Sequence, residues 1–254
     1  MQDSYVERIR AHAMRGTSIH EVEADLTIFE DGSLRAEYAP FDHVEQNAQI
    51  VLVGLTPGRQ QARNALSAFI EQLRAGVSVP VALAVAKKTG SFSGPLRKNL
   101  TAMLDHIGVN SRLGVPTSDC LFDGKEQRAH FTSALRYPVF RNGQNYSGSP
   151  SPLKVSPLVS MIDTYLAQEA STLSSAIWIP LGSHAAAALL RLVDHGRLDR
   201  DQVLAGLPHP SGANAERVAY FLGRKSRDQL SAKTRPEPID EGRSRLIRQV
   251  AALS

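Results

Sequence analysis

Three short, continuously apolar runs constrain this chain more than any other feature. QIVLVG at 49–54, AIWIPL at 176–181 and VLAGL at 203–207 each pass through a loop into a helical pattern. An apolar run without alternation reads as a strand buried on both faces. Strand, loop and helix recurring in this way predict an α/β fold, a largely parallel sheet with helices on both faces. In such sheets ligands bind beyond the carboxyl ends of the strands. Three loops leave those ends, at 55–59, 132–137 and 208–214, and function is expected where they converge.

The remaining chain reads as follows. Val6, Ile9 and Ala13 mark one face of a helix over 3–15. Two β-rich runs within 24–38 flank Asp31-Gly32, a hairpin signal. Helices are predicted over 60–74 and in PVALAVAKKTG, and a further one opens at Ser93-Gly94-Pro95 with Leu96, Leu100, Met103, Leu104 and Ile107 as its apolar stripe. Residues 110–128 read as irregular, and AHFTSALRYPVF opens as a strand that ends at Pro138. Residues 141–157, rich in Pro, Gly, Ser and Asn, are expected to form a long surface loop. Helices follow over 157–170, in SHAAAALLRLV and in AERVAYFLG. The tail is polar and Pro-broken before a final helix, EGRSRLIRQVAAL. These elements predict an extension over 1–45, a main domain over 46–225 and a tail over 226–254 whose helix packs on the domain.

Composition narrows the function classes. Apolar residues make up 42% of the 254, enough for a real core, which excludes disorder of the whole chain. No apolar run is long enough to span a bilayer, and the charged start MQDSYVERIR does not resemble a secretory signal, so the chain reads as cytosolic. A single cysteine, Cys120, excludes an internal disulfide, an all-cysteine metal site and a four-cysteine cluster. The eight histidines show no metal-ligand spacing, so no metal is expected. A formal charge of +4 permits a polyanionic partner without demanding one.

Nucleotide fingerprints of the G-x-G-x-x-G and G-x-x-x-x-G-K-[ST] types are absent, and Gly182-Ser183-His184 is no nucleophile elbow. Two loops carry more. In Gly54-Leu55-Thr56-Pro57-Gly58 the glycines allow close backbone approach to a ligand and Pro57 stiffens the turn; an ordinary tight turn would look the same. In Pro208-His209-Pro210-Ser211-Gly212-Ala213-Asn214 a histidine is held between two prolines in extended backbone. There Ser211 suits a phosphate oxygen, and Asn214 suits a helix N-cap.

GLTPG after an apolar strand, IWIPLGSHA, and then HPSGAN, with Phe92 in SFSGPLRKNL, resemble the uracil-DNA glycosylase superfamily in type and order over roughly residues 46–225. The resemblance implies a three-layer α/β/α domain, DNA as partner, a monomer, no cofactor, and hydrolysis of the bond joining a base to deoxyribose. The base must leave the stack to be reached. The reaction then needs a donor at the base oxygen and a group orienting water. By position, His209 would be the donor and Thr56 the water-holding residue. Phe92 would stack on the base, with Leu55, Pro57 and Ser133 beside it. Ser211, Gly212, Asn214 and Arg217, with Gly58 and Arg59, would grip phosphates.

Two departures from the family pattern bear on substrate. Thr56 stands where the family has Asp or Asn, and a hydroxyl is a poor base. Ser133 or Thr132 stands where the family has the uracil-reading Asn, so a bidentate amide is missing. Plain uracil is therefore not the expected substrate; a damaged or modified base is. Repair and defence against phage DNA carrying modified bases are both open, as are a catalytically silent DNA-binding member and a hydrolase of free nucleosides. Asp119 and Asp123 are candidate helping carboxylates, and Asn142, Asn145 and Tyr146 are candidate contacts for an enlarged base. Arg59, Arg63, Arg97, Lys98, Arg136, Arg217, Arg224 and Lys225 are candidates for a phosphate track, each with an ordinary exposed charge as its plainer reading.

Overall fold

The computed structural model describes residues 2–123 and 127–253. Seven strands occur among them: β1 (Thr27–Asp31), β2 (Leu34–Glu37), β3 (Ile50–Gly54), β4 (Ala129–Ser133), β5 (Val139–Arg141), β6 (Gln144–Asn145) and β7 (Ile177–Pro180). They form a three-stranded parallel sheet, in the order β4-β3-β7, and an antiparallel sheet, in the order β1-β2-β5-β6. The chain is α/β, as the apolar runs predict. Its contacts divide it into two compact units built from alternating stretches, one from residues up to 44, 55–92 and 131–169, the other from 45–54, 93–130 and 170 onward.

In the second unit, β3 is buried along its whole length and pairs in parallel with β7, Val51 opposite Trp178 and Leu52 opposite Ile179. VLAGL, expected as a further strand, makes only two parallel bridges, Trp178 to Val203 and Leu181 to Leu207. The reason lies at Gly206. Its φ of +143° breaks the extended run, and its backbone lies so close to Gly242 that a Cβ on Gly242 would sit 3.0 Å from the Gly206 oxygen. Gly242 belongs to the helix Pro236–Ala252, which begins five residues earlier than EGRSRLIRQVAAL suggests and buries Ile239, Leu246 and Val250. Residues 110–128 are less irregular than expected, with a helical turn at Val109–Arg112 and a 3-10 turn at Ser118–Phe122; 124–126 lie outside the described residues.

In the first unit, the helices Gln2–Arg15, Arg59–Arg74 and Val79–Gly90 form where the sequence puts them. Ile19–Ala24, closed by a Ser18–Glu21 capping box, was not foreseen. The hairpin turn is Gly32–Ser33, with Asp31 the last residue of β1, a one-residue shift from the Asp31-Gly32 reading. The larger correction concerns 141–157, which is not an open loop. Arg141 ends β5, Gln144 and Asn145 form β6, and Tyr146 is buried with its hydroxyl donating to the Pro150 carbonyl. A polar composition conceals this hairpin because β6 is an exposed two-residue edge.

Helices Arg59–Arg74 and Val79–Gly90 meet at Gly90. A Cβ there would lie 2.8 Å from both the Ala65 Cβ and the Gln61 carbonyl oxygen, closer than packed atoms tolerate. Gly90→Ala is therefore expected to destabilise the protein by about 1–3 kcal/mol, the usual range for overpacking, read as a lowered denaturant midpoint.

Candidate active site

A cleft in the first unit is built from the end of β4, the GLTPG loop and the carboxyl end of the helix Val79–Gly90. Phe41, Pro57, Phe92 and Phe131 supply its apolar walls, and Gln61, Lys87, Ser91, Thr132, Ser133 and Arg136 its polar ones. Inside it there is about 20 Å³ of room for water, enough for about one molecule. Pro57, Phe92 and Ser133, three of the residues singled out from the sequence for contact with a base, come together here. Leu55 does not line the cleft; its carbonyl accepts from the Leu135 N–H at 2.9 Å.

Phe92 is 8% exposed and meets Phe131 edge to face, ring centres 5.9 Å apart. Its φ is +48°, a left-handed conformation that side chains rarely take. Backbone strain of this kind persists where the surroundings fix it, and it collects at working sites.

The GLTPG loop is fastened by its neighbours. The Thr56 hydroxyl donates to the Tyr137 carbonyl at 3.0 Å and accepts from the Val139 N–H at 3.1 Å. Its proton is committed, and one lone pair remains for a water. The Arg59 N–H donates to Asn145 Oδ1 at 3.0 Å, and its guanidinium lies 3.9 Å over the Phe140 ring. Asn145 thus holds the loop.

Arg136 is no part of a surface phosphate track. It is 6% exposed, and its guanidinium lies 2.8 Å from Glu169 while also donating to the Tyr165 carbonyl. Arg63 likewise pairs with Glu23, at 2.6 Å. Lys87 was missed from the sequence. Its ammonium donates to the His43 carbonyl at 2.6 Å and lies 3.7 Å from Glu169. Burial pushes its pKa down to about 8, against the pull of Glu169. One signal was available: Lys87 falls four residues after Leu83, on the buried stripe of its helix, where a lysine is out of place.

The second unit carries the His209 loop. Gly182 donates its N–H to the Leu207 carbonyl at 3.1 Å, and Asn99 Nδ2 donates to the Pro210 carbonyl at 2.9 Å, so the segment is held at both ends. His209 is half-buried, and its Nδ1 accepts the Ser211 N–H at 3.2 Å. An accepting Nδ1 carries no proton, so the neutral ring bears its proton on Nε2. Burial lowers the His209 pKa, which favours that neutral form. Asn214 makes no N-cap bond. Its amide donates to the Ser211 hydroxyl at 3.3 Å, and its Oδ1 accepts from Arg217 at 3.0 Å. Lys225 pairs with Glu216 at 2.6 Å. Asp119 and Asp123 are exposed at the Ser118–Phe122 turn.

A family model, the uracil DNA glycosylase superfamily, matches residues 41–232. The chain belongs to the uracil DNA glycosylase superfamily. A relative in Bacillus subtilis (strain 168), described as uncharacterized protein YoxB, is 31% identical over 211 residues, covering 82% of each chain. The matched span holds both loops and the whole aromatic cleft, so the features singled out from the sequence lie within the superfamily domain. No group of metal-binding side chains occurs among the described residues, and no helix among them is long and apolar enough to cross a membrane.

Proposed function

We propose that this protein is a hydrolytic DNA glycosylase that takes a damaged or modified base out of the stack and cleaves its bond to deoxyribose. The observation that carries the reading is the cleft in which Pro57, Phe92 and Ser133 meet, three aromatic rings beside hydroxyls. A flat heterocycle suits such walls: Phe92 stacks on the ring, and Ser133 and Thr132 bond its edge. Unstacking costs a few kcal/mol, least for a damaged or mispaired base, and this favours altered bases.

The chemistry assigned to each residue follows from what it can donate or accept. As the glycosidic bond breaks, the sugar gains positive charge and the base leaves as an anion. His209, neutral with its proton on Nε2, donates to the base oxygen where that charge collects. Thr56 holds a water through its remaining lone pair, as a positioning residue. The Ser211 hydroxyl and the backbone of Gly212, with Arg59, Asn214 and Arg217, bind flanking phosphates; the Gly58 N–H is already given to Gln61. The hydroxyls of Ser133 and Thr132 cannot reproduce a bidentate amide, so plain uracil is not the preferred substrate.

A panel of duplexes, each with one altered base, treated with protein and then hot alkali, tests the reading. Strand scission at one class of altered base is the expected result; intact strands throughout would overturn it. The His209 assignment adds a pH dependence. The neutral ring is the active form, and burial lowers its pKa below the ordinary 6.5. Release under single-turnover conditions should therefore hold through that value and fall only at lower pH, once His209 takes a second proton.

A further inference from the structure

The cleft has a charge arrangement that stacking and hydroxyl bonding do not use. Two cations, Lys87 and Arg136, stand in its wall, and no carboxylate does. The balancing acids, Glu169 and Asp42, are not among the lining residues. Glu169, fully buried, meets Arg136 at 2.8 Å and Lys87 at 3.7 Å. Asp42 accepts from the hydroxyls of Tyr38, at 2.7 Å, and Tyr137, at 2.5 Å. Both cations are thus lining residues and neither acid is. Gln61 adds to the bias, because its amide oxygen accepts the Gly58 N–H at 3.2 Å and its NH₂ can only donate. Lysine and arginine only donate. Fixed charges in a desolvated wall act on an anion far more strongly than they would in water, and need no reorganisation when it forms.

We propose that Lys87 is a further catalytic residue, its ammonium stabilising the departing base as an anion within the cleft. Glu169 is the positioning residue that holds Lys87 and Arg136 in the wall. When the glycosidic bond breaks, the bonding pair stays on the base nitrogen and delocalises onto the ring oxygens. A water supplies hydroxide to the sugar, and its proton leaves to solvent or to the base.

The proposal rests on the glycosylase reading, and a binding experiment separates the two. Free barbituric acid, an anion at neutral pH, and free uracil, neutral there and similar in shape, are titrated into the wild-type protein by calorimetry. The anion is expected to bind at least about tenfold more tightly, the scale of a hydrogen bond to a charged group. Lys87→Met should erase most of that preference, whereas Lys87→Arg should keep it. Equal affinities, or no binding of either base, would overturn the proposal, and because the comparison uses the wild-type protein it stands even if Lys87→Met does not fold.

In base release, the methionine variant should lose most on the least acidic leaving base of a graded series and least on the most acidic. A uniform loss across the series would mark Lys87 as structural and would also overturn the proposal. Selective anion binding without release of any base would leave the charged cleft standing while the glycosylase reading fell.

Discussion

Replacing His209 with alanine is expected to slow base release by about 100- to 1000-fold, the range for removing one donor to developing negative charge. The side chain's Nδ1 is occupied by the Ser211 N–H, so only Nε2 is left for chemistry. The variant keeps the Cβ that packs against Gly182, and Pro208 and Pro210 still confine the backbone, so the loop should persist. DNA affinity should therefore change little, because phosphates, not the base, dominate it. Single-turnover release with a parallel binding titration checks both halves. An unchanged rate would remove His209 from the mechanism.

The largest stability effect is expected from Glu169→Ala. Glu169, Arg136 and Lys87 have side chains only 1%, 7% and 4% exposed, so removing the acid strands two cations in the interior. Breaking a buried pair in this way costs about 3–5 kcal/mol. Glu169→Gln, which keeps an acceptor for Arg136, should lose less. Chemical denaturation of both variants measures the difference, and an alanine variant as stable as the wild type would show that the cluster does not hold this wall together.

Much of this arrangement was legible in the sequence, for physical reasons. The runs QIVLVG and AIWIPL declare themselves because a strand buried on both faces has no use for polar residues. Phe92 and His209 stand out through order and spacing within motifs. Other features were invisible. Glu37 and Tyr146 look like surface residues until β2 and the β5–β6 hairpin bury them. VLAGL reads as a strand, and only the Gly206–Gly242 approach shows why it stops at two bridges. Lys87, Arg136 and Glu169 come from distant parts of the chain, and nothing local marks their meeting. Arg136 even reads as a phosphate contact, since a lone arginine after a strand is usually solvated.

The central claim is that water, with this protein, replaces the base on deoxyribose. The most direct measurement runs the reaction on a responsive duplex in heavy-oxygen water and weighs the products. One heavy oxygen on the anomeric carbon of an otherwise intact strand, with the base released unaltered, is the expected result. A strand cut without alkali, or an abasic sugar free of the label, would contradict it.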